Sequence, residues 1–141
     1  MASATVNDVL IRVRRKVGDM QKIKYSDSDL IDVVNDSIEM LSMELIDQEE
    51  PDMIQSFTLS GTTAYPRPDN FVKFVGNYPV WDNTATTFKH LDSEYSDSML
   101  VRYYALKNSV STIDDTIPFN KLTQHQALTE KVVKNLGGGG A

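Results

Sequence analysis

Residues 47–61 read DQEEPDMIQSFTLSG, and within them the spacing of the apolar side chains changes. Before this stretch Leu30, Ile31, Val34, Ile38, Leu41 and Leu45 recur at helical intervals. From Met53 onward MIQSFTLSGTTAYPRP alternates, with a Ser60-Gly61 turn signal. The DQEEPD stretch has no apolar face, and Pro51 forbids the helix from continuing. A helical segment therefore hands over to a strand-forming one near residue 54, which predicts an α+β chain.

Working back, Ser26 is the expected N-cap of the helix that ends near Asp47, with Asp27 and Asp29 on its positive end. An earlier helix is predicted over about 6–17. Thr5 is its cap, Asp8 completes a capping box, Gly18 is its stop, and Val6, Val9, Leu10, Val13 and Val17 form its stripe. The two make an αα-hairpin whose apolar faces need further cover.

Working forward, strands are predicted near 55–59, 62–65, 70–76, 79–81, 86–91 and 99–106. In the last of these Val101, Tyr103 and Ala105 share one face. Pro66 and Pro68 put that end of the hairpin at an edge or outside the sheet. NSVSTIDDTIPFN, 108–120, reads as a loop. A third helix fits about 121–136, with Asn120 as cap and Leu122, His125, Thr129 or Leu128, Val132 and Leu136 as its stripe. The expected fold is a small helical bundle, two N-terminal helices plus a C-terminal one, with an inserted antiparallel β module. The whole of 1–141 is read as one domain: 5–50 the helical hairpin, 54–107 the β insertion, 108–136 loop and helix, and 137–141 a flexible Gly tail.

Charge is split along the chain. Arg12, Arg14, Arg15, Lys16, Lys22 and Lys24 crowd the start, and no Lys or Arg follows until Arg67. The interval carries acids from Asp27 to Asp52, among them Asp32, Asp36 and Glu39. Such a split favours contact between oppositely charged surfaces, within a chain or between copies. The net charge of -6 opposes a role in gripping DNA phosphates. The second helix is too acidic to read base edges. MASATVNDVL lacks the pattern of a signal peptide, and no apolar run is long enough to cross a bilayer.

The sequence predicts no enzyme. It has two histidines, no cysteine, no HExxH, no phosphate-binding loop and no GxGxxG, so neither catalytic residues nor a metal or cofactor site can be named. The D-S-D at 27–29 reads as a helix cap, Asp114-Asp115 as a turn, and His125 as a packing or interface residue.

The segment VNDVLIRVRRKVGDMQKIKYSDSDLIDVVNDSIEML resembles the N-terminal part of the head-to-tail adaptor (connector, neck) proteins of tailed bacteriophages. Arg12-Val13-Arg14-Arg15, Gly18-Asp19, Tyr25-Ser26-Asp27, Leu30 and Asn35-Asp36 carry the likeness. Gly61-Thr62, Tyr65, Pro68, Phe71 and Lys73, then RYYAL and IDDTIPF, extend it over most of 5–136. Val17 and Arg67 depart from the pattern, where the family carries a leucine and an apolar residue. The resemblance implies a structural virion protein at the neck, assembled in the host cytoplasm into a ring, commonly a dodecamer. Such a ring joins the portal to a downstream tail or nozzle protein and lets DNA pass without sequence-specific binding. In such a ring the charge split gives a candidate contact between copies: Arg12, Arg14 and Arg15 of one copy would meet Asp32, Asp36 and Glu39 of the next. The resemblance further implies docking surfaces. Phe119, Leu122, His125, Val132 and Leu136 would dock on the portal, and Tyr65, Arg67 and Trp81 on the tail side. The competing readings are a tail-completion or tail-tube protein and a small DNA-binding regulator.

Overall fold

The computed structural model describes residues 4–59, 67–91 and 99–137. Among these residues are three helices and five strands in the order α1 (Val6–Val17), α2 (Asp27–Asp47), β1 (Ile54–Thr58), β2 (Phe71–Phe74), β3 (Val80–Asp82), β4 (Thr87–Lys89), β5 (Met99–Ala105) and α3 (Leu122–Asn135). A short 3-10 turn, Pro51–Met53, leads into β1. The chain is α+β, with helices towards its ends and an antiparallel sheet between them. It divides into two compact units: Met1–Glu44 with Lys107–Ala141, and Leu45–Leu106. The boundary falls inside α2, after Glu44, rather than beyond its end.

In the helical unit, α1 begins and ends where its caps dictate. The Thr5 hydroxyl accepts the Asp8 N–H at 3.2 Å, and the Asp8 carboxylate accepts the Thr5 N–H at 2.9 Å. This reciprocal pair satisfies two donors at the helix start. The 113–117 loop serves others: the Asp115 and Ile113 carbonyls accept the N–H groups of Val6 and Asn7 at 2.8 and 2.9 Å. The loop is itself shaped by Asp115, whose carboxylate accepts the N–H groups of Ser111 and Thr112. Those bonds hold its pKa below the ordinary carboxylate value. At the other end Gly18 takes the left-handed conformation, φ 72°, and returns its N–H to the Arg14 carbonyl.

Val6, Val9, Leu10 and Val13 are buried on α1, and Leu30, Val34, Ile38 and Leu41 on α2. Ile31, expected in the stripe, is only half-buried; Ser37 and Ser42 are buried instead. Both serines bond: Ser37 donates to the Val33 carbonyl at 2.7 Å, and Ser42 accepts the Lys107 N–H at 3.2 Å. α1 packs against α3. The α3 stripe is Gln124, His125, Leu128, Thr129 and Val132, whereas Leu122 is 52% exposed and Leu136 half-buried. Lys121, not Asn120, precedes the helix, and its N–H donates to the Gln124 side chain at 3.2 Å. At 3.6 residues per turn Leu122 lies about 90° from the centre of the His125, Leu128 and Val132 face, which turns it outward.

The β unit is organised around β5, the longest strand. β1 pairs along one edge, Ile54↔Tyr104 to Thr58↔Leu100. The other edge is shared end to end: β3 pairs with 99–101 and β2 with 103–105. Between them Arg102 donates its N–H to Pro79 and accepts from Val75. β4 adds outside β3. Leu59, Val80 and Val101 make the small apolar centre, with Phe57 and Met99 against it, and Tyr103 lies between the Phe57 and Phe71 rings. Asp82 closes the β3–β4 hairpin by accepting from the Thr84 and Ala85 N–H groups and from Lys89. The expected turn at Ser60-Gly61, the strand at 62–65 and Pro66 lie outside the described residues.

Candidate functional site: two charged grooves on the helical unit

The short stretch between α1 and α2 is held by a polar clamp. Arg14 is 2% exposed and Asp19 6% exposed. Arg14 Nη1 donates to Asp19 Oδ2 at 3.0 Å and to the Tyr25 carbonyl at 2.9 Å, while Nη2 donates to Asp27 Oδ1 at 2.9 Å. Asp19 also accepts the N–H groups of Ile23, Lys24 and Tyr25 at 3.0, 2.9 and 3.0 Å. The Lys24 N–H is the largest of the causes that lower its pKa, and partial burial opposes them. Asp27, bonded first to Arg14 and then to Lys22, is lowered too. The residues Arg14, Gly18-Asp19 and Tyr25-Ser26-Asp27 thus build one fastening. Arg14 is committed inside its own chain, which corrects its expected place in a contact with a neighbour. The reason lies in helical spacing: Arg14 follows Leu10 by four and shares its buried face.

The remaining basic residues of α1 do reach the surface. Arg15 and Lys16 are exposed and Arg12 is half-buried. Arg12 and Lys16, one turn apart, line a shallow groove with Leu122, Gln126, Thr129 and Glu130 of α3. Its apolar point is the exposed Leu122 side chain.

A second groove is lined by Asp36, Glu39, Met40, Met43 and Glu44 of α2 and by Asn135 of α3. Met40 and Met43 are 47% and 40% exposed. Glu44 pairs with Lys131 at 2.6 Å, and Asn135 donates to Ser37 at 2.9 Å, which fixes this end of α3 against α2. Asp32, Asp36 and Glu39 are exposed and have no cationic partner among the described residues. Like charges at helical i,i+4 and i,i+3 spacing repel, here Asp32 with Asp36 and Asp36 with Glu39. Leu122 and Asn135 are thirteen positions apart, about 220° around α3 at 3.6 residues per turn, so the grooves open on different sides of that helix.

The residues expected to dock on the portal divide. Phe119, His125 and Val132 are buried, at 2%, 1% and 0% exposure. His125 Nε2 lies 2.6 Å from the Phe119 carbonyl, and Thr129 donates to the His125 carbonyl at 3.1 Å. These three hold the helical unit together and are not a surface, which corrects their expected role. Leu122 is exposed, but in the basic groove.

On the β unit, Tyr65 lies outside the described residues. Arg67 is exposed, its guanidinium 5.0 Å from the Phe71 ring centre. Trp81 is half-buried, bonded through Nε1 to Asn83 at 2.7 Å and packed on Phe88 at 4.7 Å. Exposed Met40 and Met43 escaped the sequence reading, although their placement beside Glu39 and Glu44 is visible there. Among the described residues no group of three or more His, Cys, Asp or Glu is placed to hold a metal ion, and no helix is long and apolar enough to cross a membrane. No family model matches the chain, and no curated protein does.

Proposed function

We propose that this chain is a structural subunit that associates head to tail through its helical unit, forming the ring that joins portal to tail in a tailed bacteriophage. The observation that carries the reading is the pair of grooves. One is basic with an apolar point at Leu122, and the other is acidic with Met40 and Met43 at its centre. They have opposite charge, share no lining residue and open on different sides of α3. A surface that complements a different surface of the same molecule generates rings when the rotation closes. Supplying Arg12, Arg15 and Lys16 of one copy to Asp36 and Glu39 of the next would relieve the repulsion along α2. The methionines would fill the apolar contact because their side chains adapt to irregular gaps.

The place in the virion rests on the motif likeness in α1, the loop and α2. The negative net charge suits a channel wall past which DNA slides. A DNA-binding regulator fits less well, since Arg14 is spent on Asp19 and Asp27 and the neighbouring helix is acidic. The test is to label the C-terminus with gold in infectious particles and image them. Label at the vertex between head and tail is expected; label on the capsid faces or along the tail tube would overturn the assignment.

A further inference from the structure

Arg102, at the centre of the β unit, has no counter-ion among the described residues. Its backbone is fixed on both sides: the N–H donates to Pro79 at 2.8 Å and the carbonyl accepts from Val75 at 3.2 Å. Its guanidinium Cζ lies over Phe88, 4.4 Å from the ring centre. Nε is buried, yet no acceptor meets it, and among the described residues no carboxylate pairs with the guanidinium. Asp82, the carboxylate on the neighbouring strand β3, is bonded to Lys89 at 2.9 Å. An unmet buried donor is destabilising, and a charged one more so.

This side chain lines an open groove with Gly76, Asn77, Tyr78, Thr87 and Phe88. Tyr78 and Phe88 are 53% and 44% exposed, and Tyr78 rests against His90 at 4.2 Å between ring centres. From this arrangement we infer that the groove is a docking site for a segment of another protein that presents one Asp or Glu side chain between apolar residues. The carboxylate accepts from the two terminal nitrogens of Arg102, and the flanking side chains lie on Tyr78 and Phe88. Guanidinium and carboxylate match in this two-bond geometry. Among the described residues lining the groove Arg102 is the one basic side chain, which suits a single carboxylate. A nucleic-acid backbone would need a row of cations. The Phe88 ring holds the guanidinium in place before the partner arrives. The site is on the β unit alone and does not depend on the ring reading.

The test uses the intact chain, 15N-labelled, and follows the Arg102 Nε–Hε resonance by NMR. The probes are acetyl-Leu-Asp-Leu-amide, its Asn counterpart, and inorganic phosphate. The Asp peptide is expected to move the resonance saturably, and the Asn peptide to bind about tenfold more weakly or not at all, the ratio for one charge-assisted bond. R102K keeps the charge but loses the two-nitrogen fork, and its binding of the Asp peptide, read from the Tyr78 and Phe88 backbone amides, should weaken by a similar factor. F88L, a surface change, should weaken it about threefold. No movement with the Asp peptide, equal binding of the Asn peptide, or a larger response to phosphate would each overturn the inference. So would an Nε–Hε resonance that already shows a strong acceptor in the free chain.

Discussion

Asp19 shows how much one carboxylate can organise. It gathers three consecutive backbone N–H groups and Arg14, and so sets the path between α1 and α2. Asp19 and Asp27 are both held below the ordinary value of 3.8 in the folded chain. Their stabilising effect is therefore complete above that value and is lost as pH falls through the lower folded values. The urea midpoint is predicted to drop on acidification below about pH 4, and Asp19→Asn should flatten that drop while lowering the midpoint at neutral pH. Arg14→Met removes a partner from a buried ion pair and should cost about 3 kcal/mol in urea unfolding. Reversing Arg14 to Glu thus reports on folding, whereas reversing Arg12, Arg15 or Lys16 reports on association. The sequence held the clue to this difference, because only Arg14 sits four residues after Leu10 with Gly18-Asp19 just beyond. The charge count hid it, since all four cations look alike until one is placed on the buried stripe.

At the scale of elements, caps and breakers made the boundaries legible. Thr5, Asp8 and Gly18 delimit α1, Ser26 and Pro51 bracket α2, and alternation locates β5. Less legible were the positions where polar residues are buried with partners. Ser37, Ser42, Gln124 and Thr129 break the apolar pattern, so the α3 stripe was misplaced by including Leu122. Long-range amide pairing is equally silent in a sequence. Asn35 donates to the Val110 carbonyl at 2.9 Å and accepts its N–H at 2.7 Å, copying a backbone ladder seventy-five residues away. Asn35→Ala leaves both Val110 groups unpaired. It should destabilise by about 2 kcal/mol, and hydrogen exchange at the Val110 amide should accelerate. Gly18→Ala tests the α1 stop. A Cβ there would meet nothing within 4 Å, so the φ of 72° alone should make the change unfavourable by about 1 kcal/mol in thermal unfolding.

At the scale of the whole molecule the α+β order of elements followed from two changes of period, to strand spacing near residue 54 and back to helical spacing near residue 121. The division into two units did not follow, since α2 runs through the boundary without any break in its pattern. The charge split was visible along the chain. Which charges face outward depends on helical phase and on in-chain partners. The structure leaves Arg12 and Lys16 in one groove with the exposed Leu122, and Asp36 and Glu39 in another with the exposed Met40 and Met43. The central claim, heterologous association of these faces, is tested most directly by sedimentation of two complementary variants. Arg12→Glu with Lys16→Glu spoils the basic groove, and Asp36→Arg with Glu39→Arg spoils the acidic one. The account predicts that the native chain forms closed rings and that each variant alone stays monomeric. An equal mixture should assemble again into rings of alternating copies, since the two native grooves pair at one contact and the two reversed grooves pair at the next. Variants that assemble like the native chain, or a mixture that stays monomeric while the native chain forms rings, would contradict it.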